Sequence, residues 1–314
     1  SECDWIEIFD YLGHQVQLLA RSGEPVEEVW AQEDSEAPMP LIKPIIYKGQ
    51  SNIIYGQKGV NKSTLAYFLG ACLYAPWGDN SLDLQVGKDS IKSLVLDWET
   101  DKKTFEYYLS RMKKGMPDMP AFSLFYRQCR LPLAEEVEAI EQYINETGAE
   151  LLIIDSLAAA AGGEQGELKG SQSALQFNAA LRKLGKTSLI IAQTSKDDSN
   201  RKTVYGSVMF TYYARNIFEL SRADEEDSDV LHLGLFHREC NFDRRSPPIG
   251  IEITFDDANR SLSIKRESLS VSEFMEKVSV SVKILNCLKG GAKDTSEVAE
   301  EIGTKLDYTR VVMN

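Results

Sequence analysis

The chain has 314 residues, 43% hydrophobic and 26% charged, and its 48 acidic against 35 basic side chains give a formal net charge of -13. Such a length and apolar content support one large core with smaller extensions and exclude a disordered chain. No apolar run approaches the roughly 20 residues of a membrane span, so a soluble cytoplasmic protein with no membrane partner is expected, and the acidic balance disfavours a broad nucleic-acid-coating surface while leaving room for a local basic channel.

The first residues, Ser1-Glu2-Cys3-Asp4, carry no basic stretch ahead of an apolar one, unlike a secretory leader. Cys3, Cys72, Cys129, Cys240 and Cys287 form no CxxC pair, which reads as reduced packing residues rather than disulfides or a zinc site. Over residues 4–20, Trp5, Ile6, Phe9, Leu12, Val16 and Leu19 recur at a helical spacing, predicting a docking helix. Gly23 to Pro44 is rich in Glu, Pro and Ala without periodicity and reads as a linker, so residues 1–40 form an N-terminal helix and linker.

From about 41 to 268, short apolar runs alternate with helix-like segments. The runs are Asn52–Tyr55, Leu94–Leu96, Phe122–Tyr126, Leu151–Ile154 and Ser188–Ala192; the helices are expected near 63–75, 101–114, 134–147 and 171–184. Unalternating apolar runs separated by helices mark a parallel sheet covered on both faces. The later runs Val230–Phe236, Ile249–Phe255 and Ser261–Ile264 have no helices between them and predict antiparallel additions at one edge. The fold class is therefore α/β, with a mainly parallel central sheet and antiparallel edge strands. Over 269–314 the pattern changes to helix, short turn, helix, with Thr295-Ser296 expected to cap one helix and Gly303 to close it. This reads as a small helix-turn-helix or winged-helix-like unit, expected to be incomplete. Glu297, Glu300 and Glu301 favour a protein partner for it over DNA.

The most informative stretch is GQKGVNKST, Gly56 to Thr64. It fits GxxxxGK[ST] at Gly56, Lys62 and Ser63, with Asn61 where the second glycine belongs, and it lies between an apolar strand and a helix. In such a loop the backbone of Gly56, Gln57, Lys58, Gly59, Val60, Asn61, Lys62, Ser63 and Thr64 cradles a nucleotide; Lys62 reaches the β- and γ-phosphates and the Ser63 hydroxyl ligates Mg²⁺. Asn is the non-glycine residue that best tolerates φ > 0, so Asn61 is compatible with the loop. Three further strands end in polar groups. Asp155 closes LLIID and supplies a carboxylate for Mg²⁺; Asp97 and Glu99 close LVLDWE, either being placed to activate water, with Glu99 favoured; Gln193 closes LIIAQ, in reach of a γ-phosphate. The expected cofactors are ATP and Mg²⁺.

These residues resemble the RecA-like P-loop ATPases, and within them the RepA-like branch of hexameric helicases and related phage or plasmid ATPases. The resemblance spans roughly 41–266 and rests on GQKGVNKST, LVLDWET followed by Arg111, LLIIDSLAAAAGG, TSLIIAQTSKD, KTVYGSVMFTYYARNIFEL and GLFHRECN leading to PPIGIEITFD. It implies a hexameric ring of identical subunits acting on single-stranded DNA as a helicase, with Lys62, Glu99, Asp155 and Gln193 as the catalytic set. It also implies that Arg238, with Arg215 and Arg244 behind it, completes a neighbouring subunit's site. Loops carrying Lys169, Lys196, Arg201 and Lys202 would line the central channel. Asn61 and Glu239, the latter where relatives often carry lysine, depart from the pattern. They leave a second expectation, a nucleotide-controlled switch or scaffold with weak hydrolysis that recruits a protein partner. A small-molecule kinase shares the loop, but no lid or acceptor site is recognisable.

Overall fold

The computed structural model describes residues 4–22, 26–31, 37–162, 170–194, 209–223, 229–269, 274, 280–288 and 291–313. The chain divides into two compact units, Ser1–Ala37 and Pro38–Asn314. The first holds helix α1 (Trp5–Ser22), as the apolar spacing predicted. Asp4 starts it, its carboxylate accepting from the Ile6 and Glu7 N–H groups at 3.0 and 3.3 Å. No helix among the described residues is long and apolar enough to cross a membrane.

The second unit runs β1 (Pro40–Lys43), β2 (Ile46–Tyr47), β3 (Ser51–Gly56), α2 (Lys62–Tyr74), β4 (Gln85–Val86), β5 (Ser93–Asp97), α3 (Lys102–Gly115), β6 (Phe125–Gln128), α4 (Leu133–Thr147), β7 (Leu151–Asp155), α5 (Leu157–Ala160), α6 (Gly170–Leu184) and β8 (Thr187–Gln193). It continues with α7 (Met209–Tyr213), β9 (Asn216–Arg222), β10 (Val230–Cys240), β11 (Ile249–Asp256), β12 (Ser261–Glu267), α8 (Val280–Leu288), α9 (Thr295–Glu301) and α10 (Leu306–Met313). The main sheet has nine strands in the order β12-β11-β10-β9-β3-β8-β7-β5-β6. From β9 to β6 neighbouring strands run parallel; β10, β11 and β12 add antiparallel at one edge. This is the α/β architecture read from the sequence, a mainly parallel central sheet with antiparallel edge strands.

Each central strand is buried on both faces, which is why it reads as an unbroken apolar run. Ile54, Val95, Leu151, Ile153, Leu189 and Ile191 pack against one helical layer containing Leu65, Phe68 and Leu69 of α2 and Phe105 and Met112 of α3. The alternate residues Ile53, Leu94, Leu96, Leu152, Ile154 and Ile190 pack against Val137, Ile140 and Ile144 of α4 and Phe177 and Leu181 of α6. Each fully buried Leu, Ile or Phe is worth roughly 1.5–3 kcal/mol of transfer free energy, so the two layers fix the strand register.

Three local expectations shift. The strand expected at Phe122–Tyr126 pairs only from Phe125, opposite Leu94; Phe122 and Leu124 pack on the core without joining the ladder. A small antiparallel sheet, β2-β1-β4, was not expected, and β1 begins inside the stretch read as linker. The cap of α9 is Asp294, not Thr295-Ser296. Its carboxylate accepts from the Ser296 and Glu297 N–H groups at 2.8 and 2.9 Å, and the Glu297 side chain accepts from the Asp294 N–H at 2.9 Å. A carboxylate accepts both bonds at once, so it takes the cap from the adjoining hydroxyls. Gly303, at φ 66, closes α9 as expected, and α8, α9 and α10 share a core of Ile284, Cys287, Val298 and Ile302.

Candidate active site

The loop between β3 and α2 is shaped by two backbone demands. A Cβ on Gly56 would lie 2.2 Å from the Leu220 carbonyl oxygen of β9, so no side chain fits there. Gly59 and Asn61 have φ 84 and φ 57, the left-handed region, which glycine adopts freely and asparagine better than other residues. Gln57, Lys58 and Gly59 are exposed at the loop's crown, while Val60 and Thr64 are buried beneath it. Lys62 is buried, and its Nζ donates to the carbonyls of Gly56 at 3.0 Å and Gln57 at 2.7 Å. The ammonium is thus folded back over the loop. Burial pushes its pKa down, against the pull of Asp155 and Glu99.

The carboxylates arrive from the neighbouring strands. Asp155 ends β7 and is the register partner of Asp97, which ends β5. Asp155 is buried and held by two hydroxyls of α2, Ser63 and Tyr67, the latter at 3.3 Å. Desolvation raises its pKa to about 6, opposed by Ser63 and reinforced by the charges of Glu99 and Asp97. Asp97, 0% exposed, accepts from the Glu99 N–H at 2.8 Å, the Thr100 N–H at 2.9 Å, the Thr100 hydroxyl, and the Tyr126 hydroxyl at 3.3 Å. Both its oxygens are engaged in holding the turn. Glu99 is exposed, its carboxylate accepting a hydrogen bond from the Ser156 hydroxyl. Of the two acids left open by the sequence, Glu99 has the freer carboxylate.

Gln193, half-buried, is the register partner of Gly56, and the next N–H, of Thr194, donates to the Gly56 carbonyl at 3.2 Å. Lys62, Ser63, Glu99, Asp155 and Gln193 therefore meet at the C-terminal ends of four parallel strands, where open α/β sheets bind ligands. Arg238 lies elsewhere on the sheet, as the extra residue of a β-bulge between His237 and Glu239. Its guanidinium pairs with Glu219 at 2.7 Å and lies over the Phe236 ring at 5.0 Å. Arg215, Arg244 and Glu239 are exposed. Lys169, Lys196, Arg201 and Lys202 lie outside the described residues.

Sequence reasoning missed Tyr67, Ser156 and Tyr126. Tyr67 had a signal: a tyrosine in an otherwise apolar helix must find a partner for its hydroxyl. Another group, His232, Glu252 and Glu267, brings three ligand-type atoms within 4.8 Å of one another. Contacts within the fold account for it: Lys265 pairs with Glu252 at 2.9 Å and His232 Nδ1 is hydrogen-bonded to Glu267 at 2.9 Å.

The donors at the strand ends fit a magnesium ion. They are hard oxygens, and a buried Asp155 whose pKa is raised needs a cation beside it to stay fully ionised.

A phosphate loop, a buried strand-end aspartate and an exposed glutamate on one parallel sheet define a nucleotide-binding ATPase. The chain belongs to the AAA domain family, whose profile matches residues 17–199, more than half of it. The match takes in Lys62, Glu99, Asp155 and Gln193 and ends before Arg238. Among solved structures, the chain is similar to the KaiC-like protein of the hyperthermophilic archaeon Pyrococcus horikoshii OT3. The identity is 16%, over 76% of this chain and 99% of that one, with a TM-score of 0.48. No curated protein matches the chain.

Proposed function

We propose that the chain is a Mg²⁺-dependent ATP-hydrolysing motor that assembles into a ring, hexameric by its resemblance, and acts on single-stranded DNA as a helicase or helicase-like ATPase. The observation that carries the hydrolytic part is the convergence of Lys62, Ser63, Glu99 and Asp155 at adjacent strand ends. Lys62 exchanges its loop carbonyls for the β- and γ-phosphate oxygens, a stronger charge-assisted contact. Ser63 and Asp155 would hold the magnesium ion, which would supply positive charge to the phosphate oxygens. Glu99, steadied by Ser156, takes the proton of the attacking water. Gln193, tied to Gly56 through the ladder, reads the γ-phosphate and passes its loss to the chain beyond β8.

The sequence blocks after β8 support the ring, and a net charge of -13 fits a protein that confines phosphate contact to a narrow channel. Lys169, Lys196, Arg201 and Lys202 would supply that channel's charge. The free thiols of Cys72, Cys129, Cys240 and Cys287 fit a reducing cytoplasm. One observation favours a second reading, a nucleotide-controlled scaffold whose C-terminal helices recruit a protein. Arg238, the candidate to reach a neighbour's site, is paired with Glu219 of its own chain.

Hydrolysis measured with and without single-stranded DNA, beside solution mass with and without ATP, separates these. DNA-stimulated hydrolysis with ATP-dependent growth in mass supports the motor. Growth in mass with no DNA response supports the scaffold, and the absence of both overturns the two readings together.

A further inference from the structure

Three aromatic rings run from the phosphate-loop helix to the outermost parallel strand, and the hydrolytic step does not use them. Tyr67 lies on α2 one turn beyond Ser63 and is 2% exposed. Its ring meets Phe105 of α3 edge-on, with centroids 5.1 Å apart and an interplanar angle of 88°. Phe105 in turn stacks on Tyr126 of β6 at 4.6 Å and 23°. The two hydroxyls at the ends of this row bond the two strand-end aspartates. Tyr67 donates to Asp155 Oδ2 at 3.3 Å, and Tyr126 lies 3.3 Å from Asp97 Oδ2 and 3.0 Å from the Thr100 carbonyl.

A phenylalanine would fill the space of either tyrosine, so packing alone does not call for the hydroxyls. A phenol taken out of water is costly unless it finds an acceptor, and here the buried Tyr67 and the half-buried Tyr126 each find a carboxylate of the site. Residues four apart on a helix share a face, so Ser63 and Tyr67 present two hydroxyls to one carboxylate. The Tyr67 ring is fixed by Phe105 and cannot follow a rotation of Asp155. Oδ2 is therefore anchored to a rigid point, and the orientation of the whole carboxylate is set relative to Ser63.

We propose that Tyr67 is a positioning residue for the magnesium site: its hydroxyl fixes the Asp155 carboxylate so that it faces the same cation as the Ser63 hydroxyl. This rests on the reading of the strand ends as a magnesium–nucleotide site. Residues that orient a metal's ligands typically change metal affinity by about 10–100-fold when removed, and the neutral donor and 3.3 Å length of this bond put Tyr67 at the lower end.

The test is a titration of MgCl₂ against the binding of a fluorescent ATP analogue by the full chain. Thermal unfolding is recorded alongside without nucleotide. For Tyr67→Phe, which keeps the contact with Phe105, the magnesium concentration at half-maximal binding should rise about tenfold while the melting temperature stays near that of the parent. Tyr126→Phe, whose hydroxyl serves Asp97, should leave the magnesium requirement unchanged. An unchanged requirement in Tyr67→Phe overturns the proposal, whatever happens to its stability. Asp155→Asn in the same titration tells the two levels apart. If it raises the requirement and Tyr67→Phe does not, only the role of Tyr67 falls; if it too has no effect, the cation assignment falls and takes the proposal with it.

Discussion

The two ends of the parallel strands handle buried polar groups in opposite ways. At the strand starts, the Asn216 side chain donates to the Pro44 and Ile45 carbonyls at 3.0 and 2.8 Å, and its oxygen meets His237 Nε2 at 2.8 Å. The Ser246 N–H donates to His237 Nδ1 at 2.9 Å, and Asn52 bonds the Gln50 and Ser188 carbonyls at 3.0 and 3.1 Å. Every one of these groups is neutral and has its partner inside the fold. At the C-terminal ends, Asp97, Asp155 and Glu99 lie close enough to repel, with Lys62 turned back onto carbonyls. A closed neutral network rigidifies a fold, whereas uncompensated charge in one place is held there for a ligand.

The largest effect expected from breaking this contrast is at Glu99. Glu99→Gln keeps a partner for Ser156 and removes the proton acceptor, so turnover should fall on the order of 10²–10⁴-fold while nucleotide affinity changes little. Steady-state hydrolysis beside nucleotide titration checks this, and a comparable loss of affinity would place Glu99 in binding instead.

The next effect lies at the opposite end. Burial lowers the His237 pKa from its usual 6.5 to about 4, consistent with Nδ1 accepting from an N–H that a protonated ring would confront. The unfolded chain then binds the proton first. The stabilisation is whole above pH 6.5 and is lost as pH falls toward 4, by up to about 1.4 kcal/mol per pH unit. His237→Gln should cost about 2–3 kcal/mol at pH 8, from the bonds it breaks, and the gap to the parent should narrow by pH 5. Urea unfolding at the two pH values measures it; a gap that widens in acid would contradict the neutral network. Smallest is Asn61→Gly. Glycine adopts φ 57 without strain, and the Asn61 side chain makes only long bonds, 3.5 Å to the Gly59 carbonyl and 3.4 Å to Thr64. Nucleotide affinity should shift less than about threefold, well under 1 kcal/mol; a tenfold change would give the Asn61 side chain a role of its own.

The acidic half of this contrast was legible before the structure, because the groups that carry it end apolar runs. LLIID and LVLD read as buried strands closed by an acid once they are set in order with the phosphate loop, and the helices between them follow from apolar spacing. What escaped depends on contacts distant in sequence. Nothing near Glu219 announces that Arg238 will fold onto it, since the pairing needs both the antiparallel register of β9 with β10 and the bulge at Arg238. The partners of Asn216 come from residues 44, 45 and 237, and β1 is too short to show a period. Tyr67 falls in a stretch that reads only as a helix, and its partner Asp155 lies 88 residues further on.

The central claim is that the loop from Gly56 to Thr64 holds the nucleotide through Lys62. Its most direct test is the equilibrium binding of ATP to Lys62→Ala, beside a circular dichroism check that the fold is kept. Loss of a charge-assisted phosphate contact of about 3 kcal/mol predicts affinity weaker by roughly 100-fold or more. Binding equal to that of the parent protein would contradict the account.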